Sequence, residues 1–218
     1  MKLLGVILDH KLTWEKHIHK VKSTVCRITA NLARTTSVIP LKSRRTLYDA
    51  LVLPHFSYCD VVWDGTYAKH ADNLQKAANF GAKSLLGLKK NSSANAALVK
   101  LKMMPQEDRR RLHLGVLAHK LKEGKSSKEL VTTFKNRTTR YHQHNTRSAA
   151  RGDATSQQHN TARNERSTMY RALKFWNGIP VTLRRMEDTS KFKKALQKQL
   201  LQDFISKRRH VRPPAHSF

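Results

Sequence analysis

Lys2-Leu3-Leu4-Gly5-Val6-Ile7-Leu8-Asp9, followed by Lys11-Leu12-Thr13-Trp14, is the stretch on which the fold turns. It reads as a short apolar strand, a turn and a second short strand that leads into a helix. A strand this apolar has to be buried on at least one face and so needs neighbouring strands. The residues that follow offer it no obvious sheet. The expectation is a chain that opens in the middle of a fold.

Outward from that run the pattern is helical. Trp14, Ile18, Val21, Val25, Ile28 and Leu32 recur at alternating spacings of four and three, one helical stripe, with Lys16, Lys20, Lys22 and Arg27 off it. Pro40 breaks this helix, and Ser43 is a candidate cap for a second one carrying Leu47 and Leu51. Pro54 kinks or ends that helix, and Tyr58 to Trp63 is a short apolar segment of undecided type.

A third helix is predicted from about Tyr67 to Leu86. Leu74, Ala77, Ala78, Gly81, Ala82 and Leu85 form its inner face, and Gly87 stops it. Such small residues permit close helix approach. Asn95 to Leu101 reads as a short helix. Pro105 sits at the start of another, with Gln106, Glu107 and Asp108 in its positive first turn, running through Leu112, Val116 and Leu117 to about Leu121. Gly124 ends it, and Ser126 to Phe134 adds a turn or two. From Lys135 to Thr168 no Ile, Leu, Val, Phe, Met or Trp occurs, so the segment cannot bury enough apolar area to offset ordering entropy. It reads as a linker or a nucleic-acid-contacting loop. Order returns at Met169-Tyr170-Arg171-Ala172-Leu173-Lys174-Phe175-Trp176-Asn177-Gly178-Ile179-Pro180. A last helix is predicted from Ser190, as cap, to about Ile205, on a stripe of Phe192, Ala195, Leu196 and Leu200. Residues 207–218 are expected to be a disordered basic tail.

The charge is lopsided: 43 Lys and Arg against 15 Asp and Glu, a formal +28 over 218 residues. The length allows one or two domains with a real core. Charge of this size attracts polyanions, so nucleic acid is the leading partner class. A basic tail or a membrane-surface protein is the alternative, but the cations run through the whole chain. Cys26 and Cys59 are the only cysteines, which suits a reducing compartment. No apolar run approaches the roughly 18–20 residues that span a bilayer, and no signal-peptide pattern opens the chain. An intracellular protein, nuclear or cytoplasmic, is expected, with no membrane partner; Lys207-Arg208-Arg209 is a weak nuclear-import candidate. The oligomeric state is left open.

Four separated motifs occur in an order that resembles one family. The first is the opening run with Trp14. The second is Leu47-Tyr48-Asp49-Ala50-Leu51-Val52-Leu53-Pro54-His55-Phe56-Ser57-Tyr58-Cys59, ending in Val62-Trp63. The third is His142-Gln143-His144-Asn145-Thr146-Arg147-Ser148, and the fourth is Phe175-Trp176-Asn177-Gly178-Ile179-Pro180 with Phe192-Lys193 beyond it. Together they resemble the end of the palm, the thumb and the region after the thumb in non-LTR (LINE-type, jockey-like) retrotransposon reverse transcriptases. Gly178 and Ile179 depart from that family's closing Trp-Asn-Ser-Leu-Pro. The resemblance implies a thumb that holds a template–primer duplex, and a polymerase active site lying upstream of Met1.

Polymerase chemistry needs a tight carboxylate cluster to hold two divalent metal ions. The family carries it as an Asp-Asp motif, and no Asp-Asp pair occurs here. Asp60 and Asp64 are four apart, and Glu107-Asp108 and Glu187-Asp188 are adjacent; the Glu107 pair is explained by the helix dipole, and the others have no catalytic context. No catalytic residue is assigned, and the chain alone is expected not to polymerise. No cofactor is expected in this chain, with Mg2+ belonging to the palm. Twelve histidines are present, among them His17, His19, His142 and His144, but no Cys-X2-Cys pair supports a structural zinc site. Cys26 and Cys59 are expected to be buried and structural, and Trp63 and Trp176 to be core.

For nucleic acid the candidates are cations displayed off the apolar stripes. They are Lys16, Lys20 and Arg27 on the first helix, Lys42, Arg44 and Arg45 opening the second, Arg109, Arg110 and Arg111 on the Pro105 helix, and Arg137, Arg140 and Arg147 in the polar segment. Such groups contact phosphates without reading sequence. The fold class expected is mainly α: a hairpin remnant over 1–14, a helical thumb-like bundle over 15–134, a polar basic linker over 135–168, a C-terminal helical segment over 169–206 and the tail. The function expected is non-specific template–primer binding by part of a reverse transcriptase. The alternatives are a stand-alone basic nucleic-acid-binding or scaffold protein derived from such an element, or a non-functional relic.

Overall fold

The computed structural model describes residues 1–139, 153 and 161–209. It is mainly α. A hairpin of β1 (Lys2–Leu3) and β2 (Val6–Ile7) precedes α1 (Glu15–Arg34), α2 (Leu41–Leu51), α3 (Leu53–Ser57), α4 (Asp60–Trp63), α5 (Ala68–Leu85) and α6 (Ala94–Lys100). Then come α7 (Gln106–Lys122), α8 (Lys128–Thr139), α9 (Ala162–Glu165), α10 (Thr168–Gly178), α11 (Val181–Arg184) and α12 (Thr189–Arg209).

The opening run folds differently from its linear reading. It is cut in two by a turn at Leu4 and Gly5, whose φ angles are 45° and 85°, and the halves pair antiparallel with Leu3 opposite Val6. Gly5 supplies the left-handed backbone that a two-residue hairpin turn requires. Lys11–Trp14 is not the second strand. The Asp9 carboxylate takes its backbone donors instead, accepting the N–H groups of Lys11 (3.1 Å), Thr13 (2.9 Å) and Trp14 (2.7 Å). Burial pushes this carboxyl up, but those N–H groups outweigh it and hold it below the usual carboxylate range. One side of the hairpin is covered by the neighbouring helices and turn. Val6 is 6% exposed against the α1 helix, the Ile7 N–H donates to His17 Nδ1 (3.4 Å), and the Tyr58 hydroxyl donates to the Leu4 carbonyl (2.6 Å). Leu3 and Leu4 remain in solvent.

Two apolar cores result. The first is built by Trp14, Ile18, Val21 and Val25 of α1, Tyr48 and Val52 at α2, Phe56, Trp63, the small face of α5, Leu98 and Met103. α1 and α5 lie side by side, and at Gly81 of α5 an added Cβ would come within 2.5 Å of the Tyr48 ring of α2. The second joins Leu112, Leu114, Ala118 and Leu121 of α7 to Phe134, Leu173, Trp176, Ile179, Phe192 and Leu196. Thus α7 and α8 share a core with the helices after residue 168. Trp63 and Trp176 are both core. Cys26 and Cys59 are free and only half-buried, less enclosed than expected.

Several boundaries move for local reasons. Pro40, not Ser43, precedes the first residue of α2, because its φ of −57° suits a helix start. Asp188, not Ser190, caps α12, accepting the Ser190 N–H at 2.7 Å and the Lys191 N–H at 3.3 Å. Helix α8 runs past Phe134 to Thr139, and α12 carries Lys207 to Arg209 as helix instead of tail. Residues 210–218 lie outside the described residues. Between α3 and α4 the chain turns through Cys59 (φ 51°), and the Trp63 indole N–H closes the turn on the Tyr58 carbonyl (3.0 Å). That turn aims Asp60 and Asp64 inward.

Candidate nucleic-acid interface

The sequence-predicted cations separate into an outward set and an inward set. On α1, Lys16, Lys20 and Arg27 are all exposed. At 100° per residue they fall within about 40° of one another, on the side away from the buried His17, Ile18, Val21 and Val25. Arg34, in the last turn and exposed, lies on the same line. The four cover about 27 Å of helix at 1.5 Å per residue. None forms an ion pair among the described residues. Lys22, further round, turns instead to α5 and donates to Asn73 Oδ1 (3.2 Å).

On α2 only Lys42 is fully exposed. Arg45 donates to Asp49 (2.8 Å) and to the Leu101 carbonyl (2.9 Å), tying α2 to the end of α6. Arg44 is half-buried, with Nε and Nη1 enclosed near Thr29 and Tyr48. The Tyr48 hydroxyl beside it is pushed up well past the usual phenol range, by burial above all.

The Arg109–Arg111 cluster does not present three cations to solvent. Arg110 is 4% exposed, and its Nε donates to Asp64 Oδ1 at 2.6 Å. Arg171 of α10 pairs with the other oxygen of Asp64 at 2.6 Å. Burial lowers the Arg171 pKa, with Asp64 opposing the shift. Beside them, Asp60 Oδ2 meets His113 Nδ1 at 2.5 Å. Asp60 and Asp64 therefore fasten α4 to α7 and α10, linking the two cores. Arg111 is outermost but already paired with Glu107 (2.6 Å) and Asp108 (3.3 Å). Arg109 is half-buried, its pKa lowered by burial against the pull of Tyr48 and Asp49. The expectation of a solvent-displayed cation is corrected at Arg110, because the turn at Cys59 delivers a carboxylate to it.

The side chain of Arg137, Arg140, Arg147 and the His142–Ser148 motif lie outside the described residues. Among the described residues no group of three or more His, Cys, Asp or Glu could hold a metal ion, and no helix is long and apolar enough to cross a membrane. His119 illustrates how a suggestive histidine is used here. Fully buried, it stacks on Phe192 at 4.4 Å and meets the Met186 carbonyl through Nε2 at 2.6 Å. That contact makes Nε2 the donor.

Over 92 residues, 39% of this chain, the sequence is 27% identical to the probable RNA-directed DNA polymerase from transposon X-element of Drosophila melanogaster. The match covers 10% of that protein, so the chain spans about a tenth of the length of this curated relative. No family model matches the chain, and no solved structure matches it. The similarity supports a relationship to transposon RNA-directed DNA polymerases, the family that the four motifs resemble.

Proposed function

We propose that the chain is the thumb and following region of a LINE-type retrotransposon reverse transcriptase, and that it holds the template–primer duplex through its phosphates. One observation carries this reading: Lys16, Lys20, Arg27 and Arg34 stand in line on one helix, exposed and, among the described residues, in no ion pair. Duplex phosphates are spaced regularly along a rod, and a straight row of cations suits that geometry without reading bases. The metal-dependent step belongs in this reading to a palm carried by the parent polymerase, since no Asp-Asp pair occurs in these 218 residues.

The test is a titration of an RNA–DNA duplex at several salt concentrations. Affinity should fall steeply with salt. Replacing all four cations by Gln should flatten the slope of log K against log salt by about 3–4, at roughly 0.9 per phosphate released. A slope that the quadruple variant leaves unchanged would refute the assignment.

A second reading, a stand-alone basic binding protein derived from such an element, is favoured by how the hairpin seals. Val6 is buried against α1, the Ile7 N–H donates to His17 of α1, and the Leu4 carbonyl accepts from Tyr58 in the turn after α3. It calls for a monodisperse chain with one cooperative unfolding transition. An aggregating or molten product counts against it.

A further inference from the structure

Beyond duplex holding, the structure points to a second site, for single-stranded nucleic acid. It is the groove of about 600 Å³ between α5 and the loop that follows it. Its lining includes Lys76, Lys83 and Lys90 and no Asp or Glu. The loop is shaped by the end of α5. Gly87 is left-handed (φ 65°), the Leu88 N–H bonds back to the Lys83 carbonyl (3.0 Å), and Lys83 Nζ reaches forward to the Lys90 carbonyl (2.7 Å). These bonds fold the loop against the helix and keep the groove open.

The apolar part of the groove is Phe80 and Leu88, which are 38% and 42% exposed. An isolated exposed phenylalanine needs no explanation. Phe80 is not isolated in this sense: along α5 it lies on one helical line with Lys69 and Lys76, about 40° apart at most. Lys83 is a further turn on. Asn79 also lines the groove; its Oδ1 accepts from Gln75 Nε2 (2.7 Å), which leaves its NH2 as a donor for a base edge.

An accessible aromatic face among lysines is the arrangement on which unpaired bases stack while their phosphates are neutralised. A duplex cannot use it, because its bases are already stacked on each other. The occupant this chemistry fits is therefore a single strand, with one base on Phe80 and the backbone along Lys76 and Lys90. The recognised groups, base ring and phosphodiester, are common to DNA and RNA.

The experiment uses the full chain with fluorescein-labelled oligothymidylate and oligouridylate, and a duplex as control, read by anisotropy. Phe80→Leu keeps an apolar side chain but removes the ring. It should weaken both single strands by about 5- to 150-fold, the range for loss of one stacked base, and leave the duplex unchanged. Phe80→Trp should retain or improve single-strand binding. Lys76→Gln and Lys90→Gln should each flatten the single-strand salt slope by about 0.7. The proposal is overturned if Phe80→Leu changes single-strand affinity less than twofold, if it weakens duplex equally, or if Phe80→Trp binds single strands as weakly as Phe80→Leu. The quadruple α1 variant separates the two sites: failure of duplex holding appears there, whereas failure of the groove appears only at Phe80. Unequal loss for the two oligonucleotides assigns the groove to the strand that loses more.

Discussion

Replacing Asp64 by Asn tests whether the buried ionic link joins the two cores as described. The Asp64 side chain is 5% exposed and bridges Arg110, also 5% exposed, and Arg171, 31% exposed. Asparagine keeps the shape but removes the charge, stranding a buried guanidinium. Breaking a buried pair from one side costs about 3–5 kcal/mol, because the remaining charge stays desolvated. That cost applies in full to Arg110. Arg171 can turn toward water, so its share is that of a surface pair, at most about 1 kcal/mol. The expected loss is about 3–5 kcal/mol, or roughly 6–20 °C in Tm for a chain of this size. Urea unfolding followed by tryptophan fluorescence is a suitable assay, since Trp63 adjoins Asp64 and Trp176 sits in the second core. Arg111→Ala, which breaks an exposed pair with Glu107 and a longer one (3.3 Å) with half-buried Asp108, serves as control at about 0–1 kcal/mol. A triple variant, Asp64→Leu with Arg110→Met and Arg171→Met, should recover much of the loss, since apolar replacements of a whole buried ionic set are often neutral. An Asp64→Asn variant within 1 kcal/mol of the parent would refute the reasoning, as would a triple variant no more stable than the single one.

Two further outcomes follow from the first core. Gly81→Ala should destabilise by about 1–3 kcal/mol in chemical denaturation although alanine is the better helix former, because its Cβ would meet the Tyr48 ring at 2.5 Å and its hydroxyl at 2.6 Å. Adding Tyr48→Leu should return part of that loss, and a Gly81→Ala variant more stable than the parent would sink the packing argument. His17 is buried, with its pKa held below 6.5 first by burial and then by Lys20. The unfolded chain takes up that proton near 6.5 while the folded chain resists, so this contribution is complete above 6.5 and is lost as pH falls from there through the lowered folded value. His17→Gln should therefore lose stability less steeply than the parent between about pH 7 and pH 5; equal slopes would show that His17 is not the group responsible.

What could be read from sequence, and what could not, divides by the range of the interaction. The α1 stripe was legible because period alone places Ile18, Val21 and Val25 inside and Lys16, Lys20 and Arg27 outside. Arg34 continues that line seven residues further, but it lies beyond Leu32, the last residue of the apolar stripe, so period alone does not mark it as helical. The small face of α5 was legible for the same reason; its outer line, with Lys76 and Phe80, carries no such signal, because a single exposed aromatic among polar residues is ordinary surface. The opening hairpin was misplaced by a local contest. Gly5 could turn the chain earlier than Asp9, and the Asp9 carboxylate could satisfy the donors of Lys11–Trp14 without a strand. The inward fate of Arg110 had no local signal at all. Its partner is 46 residues away and reaches it only through the turn at Cys59.

That division bears on how a chain of +28 stays folded and what it is left able to bind. Its few carboxylates are largely committed. Asp64 and Asp60 fasten the cores, Asp49 holds Arg45, Glu107 and Asp108 hold Arg111, Asp153 meets Arg184, and Asp9 and Asp188 close backbone turns. Among the described residues Glu15, exposed in the first turn, is the one carboxylate on α1, and none lines the α5 groove. Along α1 neighbouring cations are about 6–10 Å apart by helix rise, no farther than the screening length near 0.1 M salt, so they repel one another in the free chain. Folding has therefore directed negative charge to where desolvation demands it and left the outward cations without compensation. In the proposed function a polyanion supplies that compensation from outside. The same allocation that stabilises the interior thus sets the polarity of the surface, and in the proposed function a bound duplex would relieve a repulsion that the fold itself cannot.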